Sequence, residues 1–323
     1  MTAVCVVRPS SLGDIVHALA LVDDVMRAAP GTTIDWVAEE VFAELPALSS
    51  GVRRVVPLAL RRWRRTPFTR ATWHEMRAFR TALRETRYDA ILDLQEQVKG
   101  ALVARTARGV RHGFDGRSIR EPIASLFDDV HHRVPKALHF AQRCRQLAGA
   151  ALGYAVDGPP RWRIAPPGHP VASPGRPYAV ALHATSRAGK LWPEDRWRSL
   201  LATFAQSGLA CIAPWGNAAE RERSARIVTG IDHAIVPDRQ SLTALASLLA
   251  AAELVVGVDT GLTHLAAALR TPVVAIFTET DATGAGVAIA GRHARDVGGN
   301  GRTPTLDEVL AAAGEVSRHA PRC

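Results

Sequence analysis

Apolar residues in this chain form short runs separated by stretches in which they recur every three or four positions. In the first half, the runs Val4–Val7, Ile34–Val37, Val52–Val56 and Ala90–Leu94 predict strands. Between them, Ile15–Ala29 and Thr72–Thr86 predict helices, the second with apolar spacing at Trp73, Met76, Phe79 and Leu83. Strands alternating with helices in this way predict a parallel sheet covered on both faces. Residues 157–177 then interrupt the rhythm with seven prolines and three glycines, a density that no packed element tolerates. Beyond it the rhythm restarts. Tyr178–His183, Leu209–Ala213, Ala234–Val236, Leu254–Val258 and Val273–Phe277 read as strands. Trp192–Gln206, Ala218–Val228, Ser241–Ala251, Thr263–Leu269 and Leu306–Ala313 read as helices, with Pro193 suited to a first turn and Ser241 to a cap. We therefore expect an α/β protein of two doubly wound domains, residues 1–160 and 178–323, joined by a linker over 161–177. Such domains place ligands at the carboxyl ends of their strands, and two of them imply a cleft between.

A length of 323 residues supports two cores. Four scattered cysteines, with no CxxC or Cys/His cluster, argue against a disulfide framework or a zinc site and favour a reducing compartment. The short apolar run before Arg8 and Pro9 is too brief for a signal peptide, and no run of about 18 apolar residues marks a membrane span. A cytoplasmic protein is expected, and a monomer.

Net charge is +9, which points to an anionic partner. Much of it lies in residues 52–88, where eleven arginines face only Glu75 and Glu85. The densest part is Arg61-Arg62-Trp63-Arg64-Arg65. A solvated helical face is the plain reading of such a run. The paired arginines also suit a surface that grips phosphates or carboxylates, whether of nucleic acid or of a lipid headgroup.

The chemistry of a doubly wound sheet sits in the loops after its strands. After the first strand comes "RPSSLGD", where Asp14 either caps the following helix or serves as general base toward an acceptor hydroxyl. After the restart strand, "HATSRAGKLWP" supplies Thr185, Ser186 and Lys190, a loop able to hold phosphate although it lacks P-loop spacing. Lys190 is one of only three lysines in the chain. In "CIAPWGNAAERER", Pro214, Trp215 and Gly216 can wall a nucleobase and Glu220 can accept from ribose hydroxyls, or simply start a helix. The sharpest signal is "VVGVDTGLTHLAAAL". There Asp259 ends a buried strand, Thr260 and Gly261 form a tight turn, and His264 lies one turn into a helix whose free N–H groups suit a diphosphate.

With these residues in view, the chain resembles the ADP-heptose:lipopolysaccharide heptosyltransferases. The resemblance runs through "SSLGD", "RRWRR", "DLQEQVKGALVAR", "HGFDGRSIREPIASLF", "HATSRAGKLWPEDRW", "PWGNAAERER" and "DTGLTHLAAAL", nearly the whole chain. It is greatest to members that add the first heptose to a Kdo residue of lipid A. It implies the GT-B architecture of two Rossmann-like domains. It further implies an inverting, metal-independent glycosyltransferase that uses ADP-heptose as donor, with no other cofactor, on Kdo2-lipid A at the inner face of the inner membrane. Asp14 matches the family's base, and Thr185, Ser186 and Lys190 its phosphate loop. Glu220 matches the ribose contact, Asp259, Thr260, Gly261 and His264 the sugar and diphosphate loop, and Gln240 a position near the adenine. The family's "GPTDP"-like turn is replaced here by "FTETDATGAGVAIAGRHARD", in which Asp281 keeps an acidic residue. For the acceptor we assign Ser10, Ser11, Gly13, Arg61, Arg62, Arg64, Arg65, Lys99 and Arg120, whose charge suits Kdo carboxylates and lipid phosphates. The alternatives are a sister enzyme for the second heptose or another ADP-sugar, a nucleotide-sugar epimerase, and a basic nucleic-acid-binding module. The last lacks interleaved aromatics or a recognisable motif.

Overall fold

The computed structural model describes residues 2–168 and 174–319. The chain divides into two compact units, residues 1–165 and 166–323. The first contains β1 (Ala3–Val7), α1 (Leu12–Ala28), β2 (Thr33–Glu39), α2 (Glu44–Ala47), β3 (Val52–Leu58) and α3 (Leu60–Trp63). It continues through α4 (Arg70–Arg84), β4 (Arg87–Asp93), α5 (Val98–Ala104), β5 (Arg108–Phe114), β6 (Val130–His132) and α6 (Phe140–Leu152). The second contains β7 (Tyr178–Leu182), α7 (Glu194–Gln206), β8 (Ala210–Ile212), α8 (Ala218–Val228), β9 (Ala234–Ile235) and α9 (Leu242–Ala250). It ends with β10 (Leu254–Val258), α10 (Gly261–Ala268), β11 (Val273–Phe277), β12 (Ala294–Gly298) and α11 (Leu306–Arg318).

Each unit is built on one six-stranded parallel sheet, ordered β3-β2-β1-β4-β5-β6 in the first and β12-β11-β10-β7-β8-β9 in the second. The central strands are continuous apolar runs because both faces are covered: β7, β10 and β11 are buried at every residue. Helix starts follow local chemistry. Thr69, Asn217 and Ser241 accept N–H bonds from the third residue after them, and Thr305 and Glu308 form a capping box. The second core closes around Trp192 and Trp197, edge to face at 5.2 Å.

The sheet order reverses between β1 and β4 in one unit and between β10 and β7 in the other. These switch points are where a doubly wound sheet opens a crevice.

Three strands lie outside the apolar-run reading. β5, β6 and β12 carry arginine, histidine and aspartate and are only partly buried, because they sit at or near sheet edges. The expected linker also begins inside the first unit. Trp162 donates to the Val16 carbonyl at 2.7 Å, Arg163 pairs with Asp23 at 2.8 Å, and Ile164 bridges to Ser49. Residues 169–173 of that linker, and Cys323, lie outside the described residues. Cys5, Cys144 and Cys211 are buried free thiols. Among the described residues no helix is long and apolar enough to cross a membrane.

Candidate active site

At the first switch point, β1 delivers Arg8 into the interior and Ser11 starts α1. Ser11, one residue before the helix, is its N-cap, so Asp14 is a first-turn carboxylate and not the cap that the sequence suggested. It still serves the helix end. Asp14 Oδ2 accepts from the Ser11 N–H at 2.8 Å and the Ser11 hydroxyl at 2.7 Å, and pairs with the Arg8 guanidinium at 2.9 Å. All three contacts fall on one oxygen and the side chain remains 38% exposed, so Oδ1 has no hydrogen-bond partner among the described residues. Burial pushes the Asp14 carboxyl up, but Arg8 and the two Ser11 donors outweigh it and hold it below the usual carboxylate range. Arg8 is fixed in turn by donating to the Leu94 carbonyl and by lying 4.6 Å over the Phe140 ring.

The loop after β4 completes this wall. Gln95 accepts from the Ser10 N–H at 3.2 Å, and Gln97 bonds Glu121 at 2.9 Å. Glu96 sits at φ 59°, a conformation costing about 1–3 kcal/mol, and is held by an ion pair to Arg143. Gly100 is required beside it, since a Cβ there would meet Gln95 Cβ at 2.2 Å. The result is a polar cavity of about 270 Å³ lined by Arg8, Ser10, Ser11, Asp14, Gln95–Gln97, Lys99, Arg120 and Phe140. Ser10, Ser11, Asp14, Lys99 and Arg120 thus come together as expected of neighbours, while Arg8, Gln95, Gln97 and Phe140 were not singled out from sequence.

Beneath the cavity, Asp93 ends β4, is almost fully buried and has no partner for Oδ2. Burial, with the nearby Asp128, pushes its carboxyl up to about 8.

The four arginines near Trp63 separate in role. Arg62 is committed, pairing with Glu40 at 3.0 Å and Glu75 at 2.8 Å. Arg61 lies over the Phe42 ring. Burial, then Arg61 and Arg8, lower the Lys99 pKa, so the cavity feels Arg61 although Arg61 does not line it. Arg64 and Arg65 are exposed and make no ion pair among the described residues. Trp63 is a core residue, 5.9 Å from Phe79, with its Nε1 donating to Glu75.

At the second switch point, the loops after β7 and β10 meet. Lys190 Nζ donates to Asp259 Oδ2 at 2.5 Å, Thr280 donates to the same oxygen at 2.8 Å, and His264 Nε2 stands 3.4 Å from Oδ1. Burial works against ionisation, but His264, Lys190 and Thr280 hold the Asp259 carboxyl far below the usual range. Thr185 donates to the Asp259 carbonyl at 3.2 Å. Thr260 is the N-cap of α10, and the Gly261 and Leu262 N–H groups take no backbone partner among the described residues. Gly257 lets α10 approach the sheet, because a Cβ would meet Thr263 Oγ1 at 2.1 Å. Lys190, Thr185, Asp259, Thr260, Gly261 and His264 therefore share one place; Ser186 lies in the same loop, exposed.

Trp215 donates to the Pro237 carbonyl at 2.8 Å, behind it Pro214 is buried, and Gly216 is exposed. Glu220 is already engaged, accepting from the Gly216 N–H at 2.7 Å and from Asn217 at 2.8 Å. Gln240 donates to the Asp238 carbonyl at 3.2 Å. In the atypical loop Asp281 only closes a local turn on Thr283, and Thr280, its neighbour, is the residue that reaches Asp259.

Two parallel-sheet units, one presenting a pinned carboxylate and the other a lysine–aspartate pair at a helix N-terminus, define a GT-B-type glycosyltransferase. The comparisons agree. Residues 76–305 match the profile of glycosyltransferase family 9 (heptosyltransferase). Lipopolysaccharide heptosyltransferase 1 of Escherichia coli K12 is 42% identical over 282 residues, covering 86% of this chain and 88% of that one. The solved E. coli heptosyltransferase WaaC with ADP superposes with a TM-score of 0.90 at 38% identity, covering 98% of this chain and 100% of that chain. E. coli ADP-heptose lps heptosyltransferase II, at 21% identity and a TM-score of 0.77 over 99% of both chains, shares the fold. The chain belongs to glycosyltransferase family 9, the heptosyltransferases.

Proposed function

We propose that this enzyme transfers L-glycero-D-manno-heptose from ADP-heptose to a Kdo residue of Kdo2-lipid A, with inversion, at the cytoplasmic face of the inner membrane. The observation that carries the mechanism is the one-sided commitment of Asp14: three donors on Oδ2 leave Oδ1 to take a proton. In the reaction an acceptor hydroxyl gives that proton to Oδ1 and forms a bond to the anomeric carbon. The bond from that carbon to the diphosphate oxygen breaks, and its electron pair leaves with ADP. A single displacement needs one base and no carboxylate nucleophile.

Charge growing on the leaving diphosphate is met by Lys190 and by the Gly261 and Leu262 N–H groups. An ammonium has three donors, so the bond to Asp259 leaves two for phosphate. Asp259 then serves as the fixed anchor for Lys190 and as an acceptor for sugar hydroxyls, with Thr185, Ser186, Thr260 and His264 around it. Glu220, Trp215 and Gln240 supply the nucleoside side, and Lys99, Arg120 and Arg61 the countercharge for Kdo carboxylates. Support comes from the relatives, named lipopolysaccharide heptosyltransferase 1, and from WaaC solved with ADP-2-deoxy-2-fluoro heptose.

Incubating the chain with ADP-heptose and Kdo2-lipid A tests this directly. Release of ADP with a heptosylated product of inverted anomeric configuration is the expected result. ADP binding without product on this acceptor, but with product on a lipid A already carrying one heptose, would replace it with the sister reaction.

A further inference from the structure

We propose that the outward face of α4 is a docking surface for an anionic lipid bilayer. Helical spacing places Arg70, Trp73, Met76, Arg77, Arg80 and Arg84 within roughly 120° of arc at 3.6 residues per turn. The side that packs on the unit carries Phe79 and Ala82, with Thr72 and Leu83 buried along its border with this face. Trp73 and Met76 were expected among the packed apolar positions, yet they are 57% and 40% exposed, and Phe68 just before the helix is 92% exposed.

The charge on this face has no internal answer. The only acid in α4, Glu75, is spent on Arg62 and the Trp63 indole, and Glu85 beyond it is spent on Arg54 at 2.8 Å. Arg70, Arg77, Arg80 and Arg84 form no ion pair among the described residues. Arg77, Arg80, Arg84 and Arg108, at the start of β5, also line an open groove of about 580 Å³, together with Thr81 and with Glu85, whose charge Arg54 already answers.

An ordinary solvated helix face mixes signs and hides its large apolar groups. Here guanidinium groups alternate with an indole and a thioether. That is the chemistry of an interfacial surface, in which arginine meets lipid phosphate while the ring sits at headgroup depth. Met76 favours lipid over nucleic acid, since a thioether neither stacks on a base nor bonds its edge, yet partitions readily into an acyl layer. The biological placement rests on the lipid acceptor of the proposed function, but the contact itself needs no turnover.

Flotation of the full chain with phosphatidylcholine vesicles, with and without roughly a third phosphatidylglycerol, tests the surface. Wild type should float only with the anionic vesicles, and less at high salt. Arg77→Gln/Arg80→Gln/Arg84→Gln should lose about tenfold or more in partitioning, and Trp73→Ser/Met76→Ser roughly threefold. Both variants should keep heptose transfer to a deacylated, water-soluble acceptor within about twofold, which also reports an intact fold, and lose it on vesicle-embedded acceptor. Variants that float like wild type, equal flotation on neutral vesicles, or arginine-dependent capture of RNA without lipid binding would each overturn the proposal. A wild-type chain that floats but transfers nothing would defeat the transfer reading and leave the docking surface supported.

Discussion

The two switch points use the same parts to opposite ends. Each places a carboxylate at a strand-to-helix turn and pairs it with a cation: Asp14 with Arg8, Asp259 with Lys190. Asp259 is contacted on both oxygens, by Lys190 and Thr280 on one and His264 on the other. Asp14 is contacted on one only. The cations differ as well. Arg8 is buried, stacked on Phe140 and tied to Leu94, whereas Lys190 is 17% exposed with donors in hand. A saturated carboxylate with a half-free cation makes an anion site. In the proposed mechanism, a half-free carboxylate with an immobilised cation serves as the base. The number of uncommitted atoms, more than residue type, separates the two roles.

Substitutions at four positions would sharpen or break that contrast. Among these supporting residues Lys190→Ala should have the largest effect, lowering kcat/KM about 10²–10³-fold through loss of leaving-group stabilisation, with a raised donor KM. Arg8→Met should lower kcat roughly tenfold and move the acid limb of the pH–rate profile upward, since Arg8 is the charged one of the groups that together outweigh burial at Asp14. Arg8→Lys should restore part of both, and an unchanged acid limb would detach Arg8 from Asp14. The same shift has a stability sign. With its folded-state pKa depressed, ionised Asp14 stabilises the fold at neutral pH, and that contribution is lost as pH falls through the ordinary carboxylate range.

Thr280→Val should raise the donor KM by about three- to fivefold, with little change in kcat, by freeing the Lys190–Asp259 pair to rotate. Asp93→Asn should change turnover least. Its carboxyl, pushed up to about 8, is sealed beneath the cavity, so its penalty grows as pH rises from the ordinary carboxylate range through 8. Thermal melts should show the variant gaining stability over wild type at pH 9 and not at pH 4. If Asp93→Asn instead abolished turnover while sparing ADP binding, the base assignment would pass from Asp14 to Asp93.

The alternation of apolar runs and helical spacing was enough to read the central strands of the two sheets, because β1, β7, β10 and β11 are buried on both faces and are built of apolar residues. Strands at or next to a sheet edge carry no such constraint. "RGVRHGF" and "ARDVG" look like loops until a neighbour supplies the hydrogen bonds, which is why β5 and β12 could not be seen in the pattern. The proposed site was legible at Asp14, Lys190 and Asp259 as residues in loops after recognisable strands. Gln95, Gln97 and Phe140 were not, because their relevance depends on β4 lying next to β1, a fact of sheet order. The rule that a doubly wound order reverses beside its first strand was the available signal for the first two. Thr280 was hidden by the unfamiliar loop around it, where the acidic Asp281 drew attention to the wrong neighbour.

Asp14→Asn and Asp259→Asn, compared side by side for ADP-heptose affinity and for turnover at saturating donor, test the central contrast most directly. Asp14→Asn should bind donor like wild type and lose about 10²–10⁴-fold in kcat, while Asp259→Asn should lose donor affinity first. Full turnover in Asp14→Asn, or the two variants failing in the same parameter by the same factor, would contradict the division of labour between the two carboxylates.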